Sequence, residues 1–377
     1  MEFNEYNEGE LETVGDGNRY VTSAHFGDER LSIAIIAAIL VLAVLVCSVF
    51  VLFTEESIPV WNPSGSSGSS SSSSSSSTTT GNGGGGDEPE YPYATKTDKT
   101  NFIASAGGDD LDDIYLYSEY AILIKLSDMT TLAHQGADEV IYPASMTKVM
   151  TVLVALDRIT DLSDGYLIDE SVFAQMPDGA ANAGLAYYVG RTFSVRDLLY
   201  GVSYVSAADS VLCLIDYLNL TVEQFVRLMN EKAAQIGLQN TTFGGPIGMD
   251  AEFNQTTCRD VAAIMAYAME NPLCRELFGG TVYELDYLDI SYVNSTLYKN
   301  LVNNFSSTPE TIVRGYTLLA AKSGLEDEAG YCLVSLLKNN ESGEEFILVT
   351  ANAKAYVNPY NKAPIFDMIE LFTELKP

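Results

Sequence analysis

A tract of serine, glycine and threonine at residues 64–86 limits where this chain can fold. Such a segment has no apolar side chains with which to build a core, so it acts as a flexible linker. The chain beyond it is long enough for one domain with a sizeable core. The predicted organisation is an acidic tail at 1–30, an apolar segment at 31–53, a Ser/Gly-rich linker with its flanks at 54–110 and a folded domain at 111–377.

The apolar run Leu31–Phe53 contains no charged residue and is long enough to cross a bilayer as a helix. A cleavable signal peptide is the alternative, but the run follows an acidic segment, lacks a basic n-region and does not end in a small-x-small cleavage site. Arg30 precedes the run and Glu55 follows it, which favours a cytoplasmic N-terminus. We therefore expect a single-pass cell-membrane protein anchored through residues 31–53, with its folded domain extracellular.

The formal net charge of −31 argues against binding of nucleic acid and against electrostatic adhesion to anionic lipid. No Cys-x-x-Cys motif or Cys/His cluster indicates a metal site, and no cofactor is expected. Four cysteines fall in the predicted extracellular part, where they allow three pairings if all are bonded. Buried free thiols are an equally open alternative. These cysteines are Cys213, Cys258, Cys274 and Cys332.

The pattern after residue 111 is strand-like at both ends and helical between them. The predicted strands are Tyr120–Leu126, Thr317–Ala321, Tyr331–Leu337 and Glu345–Thr350. The predicted helices are Val222–Ile236, Arg259–Met269 and Ile365–Leu375. Strands from both ends of a domain can pair in one sheet, which would leave the helical part as an insertion.

The segment Ser145-Met146-Thr147-Lys148 follows Pro143 and leads into an apolar-periodic run, which predicts a helix that begins near Ser145. The spacing places the Ser145 and Lys148 side chains on one helix face, about one turn apart. Burial and a nearby helix N-terminus both lower a lysine pKa, so Lys148 could act as a base for Ser145. By itself an S-x-x-K match is weak evidence, and an ordinary buried helix is the simpler interpretation.

Histidine usage favours the lysine. The chain has two histidines, His25 and His134, on opposite sides of the predicted membrane span. A Ser-His-Asp hydrolase would have to use His134, which lies in a turn-like stretch beside no obvious nucleophile. If this chain is a serine hydrolase, its base is therefore expected to be lysine.

Two further polar segments follow in the chain, Ser206-Ala207-Ala208 and Lys322-Ser323-Gly324. Together with Ser145 and Lys148 they form the pattern of a serine nucleophile with a lysine, a second serine and a basic strand edge that can hold a carboxylate. This combination indicates acyl transfer.

Residues from about 112 to 377 resemble the low-molecular-weight penicillin-binding D-alanyl-D-alanine carboxypeptidases, serine peptidases of the S11 type. The three motifs occur in the family's order, which is far more specific than any one of them. The matching segments are 142–148, 198–201 with 206–209, and 321–324 with 327–334. The resemblance implies a β-lactamase/DD-peptidase-like α/β (α+β) fold, in which an antiparallel sheet is flanked by helices and carries an inserted helical lobe.

By that resemblance, Ser145 attacks the D-Ala-D-Ala bond of a peptidoglycan stem peptide and forms an acyl-enzyme, which water then hydrolyses. Lys148 is the implied base and Ser206 the implied proton relay to the leaving amine. Lys322 and Ser323 would bind the terminal carboxylate from a strand edge. The backbone N–H groups of Ser145 and Leu325, the residue after Gly324, would form the oxyanion hole. β-Lactams are the implied covalent inhibitors.

Two positions depart from the family pattern. Ser323 stands where the family usually has Thr, which keeps the hydroxyl. Ala208 stands where many members have Asn, whose amide helps to hold the lysine; its loss is expected to cost roughly 10- to 1000-fold in rate without abolishing the chemistry. Asp209 is interpreted as the family's structural acid and not as a replacement for the amide.

Two alternatives to a carboxypeptidase stay open. A β-lactamase would need an additional carboxylate loop for deacylation, and no Glu-x-x-x-Asn segment occurs between Ser145 and Ser206 or just after. The second alternative is a penicillin-recognising sensor or cell-wall-binding protein that is catalytically weak or inactive. It is suggested by Ala208, which stands where many family members have Asn. Turnover of a D-Ala-D-Ala peptide would separate an enzyme from a sensor.

Overall fold

The computed structural model describes residues 91–249, 253–286, 291–293, 313–354 and 363–377. All of them fall in one compact unit. Over these residues, no helix has the length and apolar character needed to span a bilayer. The predicted tail, membrane span and Ser/Gly tract lie outside the described residues, so they stay predictions.

The strands, in chain order, are β1 Asp109–Asp110, β2 Tyr120–Lys125, β3 Thr130–Gln135, β4 Gly165–Leu167, β5 Thr192–Ser194, β6 Val282–Glu284, β7 Ser291–Val293, β8 Tyr316–Glu326, β9 Gly330–Asn339 and β10 Glu345–Ala353. Six of them form the main sheet, in the order β1-β3-β2-β10-β9-β8. Its neighbouring strands are antiparallel, apart from the short parallel pair β1 and β3. Strands from both ends of the domain therefore pair in one sheet, as the sequence predicts, and β8 lies at its edge.

The helices are α1 Lys148–Leu156, α2 Val195–Tyr200, α3 Ala208–Tyr217, α4 Val222–Ile236, α5 Cys258–Met269, α6 Pro272–Gly279 and α7 Ala363–Glu374. Helices α1 to α6 lie between β3 and β8 in the chain, so they form the inserted helical part that the sequence pattern indicates. The mixed α/β class is confirmed.

Helix α4 illustrates how local sequence sets an element's bounds. Thr221 Oγ1 accepts the N–H of Gln224, whose side chain accepts the N–H of Thr221, and this capping box begins the helix. Gly237 follows the last helical residue with a φ of 93°, a left-handed conformation that glycine adopts without strain. The predicted bounds Val222–Ile236 match the structure because both signals are visible in the sequence.

The sheet is buried on both faces, and alternate residues of β2 contribute to different cores. Ile122 and Ile124 belong to the larger core, which contains α1 and most of the helical part. Leu123 belongs to a smaller core on the other face, which α7 covers. The apolar residues of α7 that close this core recur every three or four positions, namely Ile365, Met368, Leu371 and Phe372.

The described part of the folded unit reaches back beyond the expected start at residue 111. Phe102 and Ala104 are buried in the larger core. Tyr93 O accepts a hydrogen bond from Asn271 Nδ2 at 2.8 Å. The described residues from 91 onward therefore pack as part of the domain. This mostly polar segment carries apolar residues at the positions that contact the larger core.

Candidate active site

Ser145 lies in a tight turn that precedes α1. Residues Ala144–Thr147 form one turn of 3₁₀ helix, and α1 continues from Lys148. In a 3₁₀ turn side chains three residues apart lie almost directly in line, so this geometry brings Lys148 under Ser145. Lys148 Nζ lies 3.0 Å from Ser145 Oγ. Ser145 is partly exposed whereas Lys148 is buried, so the hydroxyl can meet a substrate while the amine is shielded from water.

The residue before the nucleophile is held in an unfavourable backbone conformation. Ala144 has a φ of 45°, which costs an alanine about 1 kcal/mol or more. The loop before α5 fixes it there, because the Gly248 backbone packs directly on the Ala144 carbonyl. A Cβ built on Gly248 would lie 2.0 Å from that oxygen. Strain of this kind is typical of functional sites, where surrounding contacts hold a catalytic group in one place.

Burial lowers the pKa of Lys148 to about 7, and the negative charge of Glu326 opposes this shift. An amine of this pKa is largely neutral slightly above neutral pH, so its lone pair can take a proton from Ser145. Lys148 Nζ also donates to the backbone carbonyl of Ile247 at 2.7 Å. These two contacts hold the nitrogen between the nucleophile and a fixed acceptor.

Ser206 follows a single turn of π-helix, Gly201–Val205, of the sort that occurs mainly at functional sites. Its own φ is 61°, a left-handed conformation that is uncommon for serine. Lys322 Nζ donates to Ser206 Oγ at 3.0 Å. The second and third motifs therefore meet through a lysine–serine contact, a path along which a proton can pass.

Lys322, Ser323, Gly324 and Leu325 lie on the edge strand β8. Gly324 approaches the nucleophile turn so closely that a Cβ there would lie 3.0 Å from Pro143 O and 3.2 Å from Ser145 N. The absence of a side chain thus lets this strand edge run beside the Ser145 N–H. The pairing of the Ser145 and Leu325 N–H groups as an oxyanion hole stays a prediction.

Lys322 is fully buried, and its Nζ also donates to Ser323 O at 2.8 Å. Burial, reinforced by the positive charge of Lys148, lowers the pKa of Lys322 well below its usual range. An incoming carboxylate would favour the charged form of such a lysine. The arrangement suits a group that becomes a cation when an anionic substrate arrives.

The second motif lacks an amide, and its acid is structural. Ala208 is fully buried at the start of α3. The Asp209 carboxylate accepts the N–H groups of Ala183 at 3.0 Å, Leu185 at 2.9 Å and Ser210 at 2.9 Å. Asp209 thus ties the preceding loop to α3. Its hydrogen bonds are to backbone N–H groups, so it does not take the place of the missing amide beside Lys148.

Sequence reasoning missed two parts of the site. The Ile247 carbonyl is a backbone group in the stretch Gly-Gly-Pro-Ile-Gly, whose only sequence signal is its turn composition. Glu326, two residues after Gly324, is half-buried and acts on Lys148 through its charge. Its position on the same strand as the third motif was the available signal.

The remaining titratable candidates lie elsewhere or are inert. His134 is on β3, where its backbone pairs with Ile122, and no contact joins it to Ser145 among the residues described. The four cysteines of the described chain are free and buried. Within the same residues no group of three or more His, Cys, Asp or Glu side chains could hold a metal ion.

A sheet edge beside a serine–lysine pair, on a mixed α/β fold, defines a serine-type peptidase. Residues 110–355 match the family model described as D-alanyl-D-alanine carboxypeptidase, Peptidase_S11. This match covers more than half of the chain. The chain therefore belongs to the S11 family of D-alanyl-D-alanine carboxypeptidases.

The similarity extends to individual relatives. The chain is 29% identical over 239 residues to D-alanyl-D-alanine carboxypeptidase DacF of Bacillus subtilis, which covers 62% of this chain and 58% of the relative, less than two thirds of its length. A crystal structure of a D-alanyl-D-alanine carboxypeptidase from Mycobacterium tuberculosis matches 71% of this chain and 95% of its own, with a TM-score of 0.56 and 22% identity. A variant of the Streptomyces K15 DD-transpeptidase matches 69% of this chain and 97% of its own, with a TM-score of 0.57 and 24% identity. The solved structures establish a common fold.

Proposed function

We propose that this chain is a serine DD-carboxypeptidase that removes the terminal D-Ala from peptidoglycan stem peptides. The observation that carries the proposal is the Ser145–Lys148 pair, with 3.0 Å between Oγ and Nζ and a lysine pKa of about 7. Family membership supplies the substrate class, since relatives such as the Bacillus subtilis protein are named for this activity.

In the proposed reaction, Lys148 Nζ takes the hydroxyl proton of Ser145 as Oγ attacks the carbonyl carbon of the penultimate D-Ala. The N–H groups of Ser145 and Leu325 stabilise the oxyanion. The C–N bond then breaks, and the leaving D-Ala amine takes a proton that Ser206 relays. The product is an ester on Ser145, and water hydrolyses it to release the shortened peptide.

Substrate binding is assigned to the third motif. The terminal carboxylate would lie against Lys322 and Ser323 at the edge of β8, where an ammonium and a hydroxyl form charge-assisted hydrogen bonds. Gly324 keeps this edge close to the nucleophile turn. A β-lactam offers the same carboxylate and a strained amide, and its leaving nitrogen stays tethered after attack, so we propose β-lactams as covalent inhibitors.

The test uses the full-length chain in detergent and its Ser145→Ala variant. Each is incubated with a fluorescent penicillin and, separately, with diacetyl-L-Lys-D-Ala-D-Ala. Ser145-dependent labelling together with D-Ala release is the expected result. Labelling without release would favour the sensor that Ala208 motivates, and neither signal in folded protein would refute the acyl-enzyme.

We also propose that the enzyme is anchored in the cell membrane through residues 31–53, with a cytoplasmic N-terminus. The support is the length and charge pattern of the apolar run and the flexible tract after it. Protease added outside intact cells should release the folded domain while the N-terminal tail stays cell-associated. Recovery of the whole chain in the soluble fraction after lysis without detergent would contradict the anchor.

A further inference from the structure

The loop before α5 presents two backbone carbonyls to the helix that carries the lysine. Thr151 Oγ1 donates to Pro246 O at 2.6 Å, and Lys148 Nζ donates to Ile247 O at 2.7 Å. Both donors belong to α1 and both are buried. The position of the lysine nitrogen therefore depends on where this loop is held.

Asn254, later in the same connection between α4 and α5, holds the backbone that precedes these carbonyls. Its Oδ1 accepts the N–H of Gly244 at 3.0 Å and that of Gly245 at 3.3 Å. The side chain is buried, and its Nδ2 has no hydrogen-bond partner in the part of the chain that the structure describes. The oxygen is therefore the atom through which this amide stabilises the fold, because a buried amide nitrogen without a partner contributes nothing favourable.

Other contacts hold the residues on either side of Gly244 and Gly245, among them the backbone pairing of Thr242 with Gln255. Upstream, Asn230 pairs with the backbone of Phe243 through both its amide atoms. Downstream, Gly248 packs against Ala144. Among the described side chains, Asn254 is the one that hydrogen-bonds the backbone directly before the two carbonyls.

We propose that Asn254 is a positioning residue for Lys148, because it fixes the loop whose Ile247 carbonyl orients the lysine nitrogen towards Ser145. The inference rests on the proposed function. A neutral amine has one lone pair and two N–H bonds. When Ile247 O takes one N–H at a fixed point, the lone pair is left to face Ser145 Oγ. Ala208 provides no amide for this task, so the carbonyl carries it.

The charged groups that act on Lys148 stay in place when Asn254 is changed. Lys322 and Glu326 lie on β8 and not on the loop, and Ser145 supplies the hydroxyl that Lys148 contacts. A change in the pH dependence of Asn254 variants therefore reports the position and hydration of Lys148. A released loop admits water to the amine, which relieves its desolvation and raises its pKa.

The experiment measures acylation of the full-length chain by a fluorescent penicillin from about pH 5 to about pH 9, around the Lys148 pKa of about 7. Asn254→Leu keeps the volume without the acceptor, and Asn254→Asp keeps the acceptor. Asn271→Leu is the matched control, since Asn271 is also buried and holds backbone groups of Tyr93 and Leu273, away from the site. Melting temperatures are recorded for each.

We expect Asn254→Leu to lower the acylation rate constant by roughly 10- to 100-fold, the cost of misplacing a catalytic group by about 1 Å. The acidic limb of its pH–rate profile, where the rate falls as Lys148 is protonated, should move to higher pH. Asn254→Asp should retain more of the rate, and Asn271→Leu should retain the wild-type profile. If Asn254→Leu does not fold, Asn254→Ser should show the same direction. A wild-type rate, or a loss with an unchanged pH profile, would overturn the inference. Absence of wild-type labelling would instead refute the proposed function.

Discussion

The positive charge of Lys148 disfavours a charge on Lys322. Both are fully buried, and burial together with the charge of Lys148 lowers the pKa of Lys322 well below its usual range. Lys148 Nζ contacts Ser145 and Lys322 Nζ contacts Ser206, so each lysine is paired with a different hydroxyl. The coupling favours a neutral Lys322 in the free enzyme, whereas burial alone favours the neutral Lys148 that a base requires, and a substrate carboxylate would restore charge at Lys322.

Acylation should have an acid limb set by Lys148. Because burial lowers its pKa to about 7, the amine is neutral above that pH and protonated below it. The rate of labelling by a fluorescent penicillin should therefore fall as the pH drops through about 7. Lys148→Ala should lose roughly 100- to 10,000-fold in rate, the usual contribution of a positioned base.

Lys232→Ala serves as the control for Lys148→Ala. Lys232 is also a buried lysine, but it forms an ion pair with Asp157 at 2.6 Å. Its loss should lower the melting temperature without moving the acid limb. An acid limb that survives in Lys148→Ala would show that another group is the base.

Glu326→Gln should move the acid limb to lower pH. The Glu326 carboxylate raises the pKa of Lys148 against the larger effect of burial, so its removal leaves a lysine that is neutral at lower pH. The mutant should label faster than the wild type on the acidic side of the profile. Glu328→Gln, on the exposed turn of the same hairpin, should leave the limb in place. A limb that moves to higher pH, or equally in both variants, would contradict this assignment.

Much of the architecture could be predicted from local patterns in the sequence. The continuous apolar run of β2 and the capping residues of α4 indicate these elements directly, and the spacing of Ser145 and Lys148 predicts their contact. The local geometry differs from the prediction, since Ser145 lies in a 3₁₀ turn and not in the α-helix itself. The Gly248 backbone packs against the Ala144 carbonyl in this tighter turn. A contact between residues so far apart in the chain leaves no periodic pattern in the sequence.

The lysine's surroundings could not be predicted, because they are backbone groups and charges brought together by the fold. A carbonyl such as that of Ile247 is present at every position of a chain, so only the loop's path selects it. The sequence showed that Ala208 stands where many family members have the amide of Asn. It did not indicate that Asn254, far along the chain, fixes the loop that contacts the lysine.

Gly248→Ala should impair acylation beyond its effect on backbone strain. Gly248 has a φ of 86°, and a Cβ there would lie 2.0 Å from the Ala144 carbonyl oxygen. Gly237→Ala is a matched control, because Gly237 has a φ of 93° and nothing within 4 Å of its Cβ position. Both variants should lose roughly 1 kcal/mol to the left-handed conformation. Only Gly248→Ala should also slow labelling, since it must displace the nucleophile turn. Equal labelling rates would contradict this role.

Asp209→Ala should destabilise the domain by roughly 3 kcal/mol, because it leaves buried N–H groups without an acceptor. The carboxylate accepts the N–H groups of Ala183 and Leu185 and lies in the first turn of α3, where a negative charge is favourable. Asp209→Asn keeps one acceptor oxygen and should lose less, as measured by denaturant unfolding. The control is Asp161→Ala, since Asp161 is likewise a hydrogen-bond acceptor, here for the N–H and hydroxyl of Ser163, but is exposed to solvent. Exposed groups of this kind exchange protein contacts for water, so its loss should be below about 1 kcal/mol. Equal losses at Asp209 and Asp161 would mean that the loop before α3 does not depend on this carboxylate.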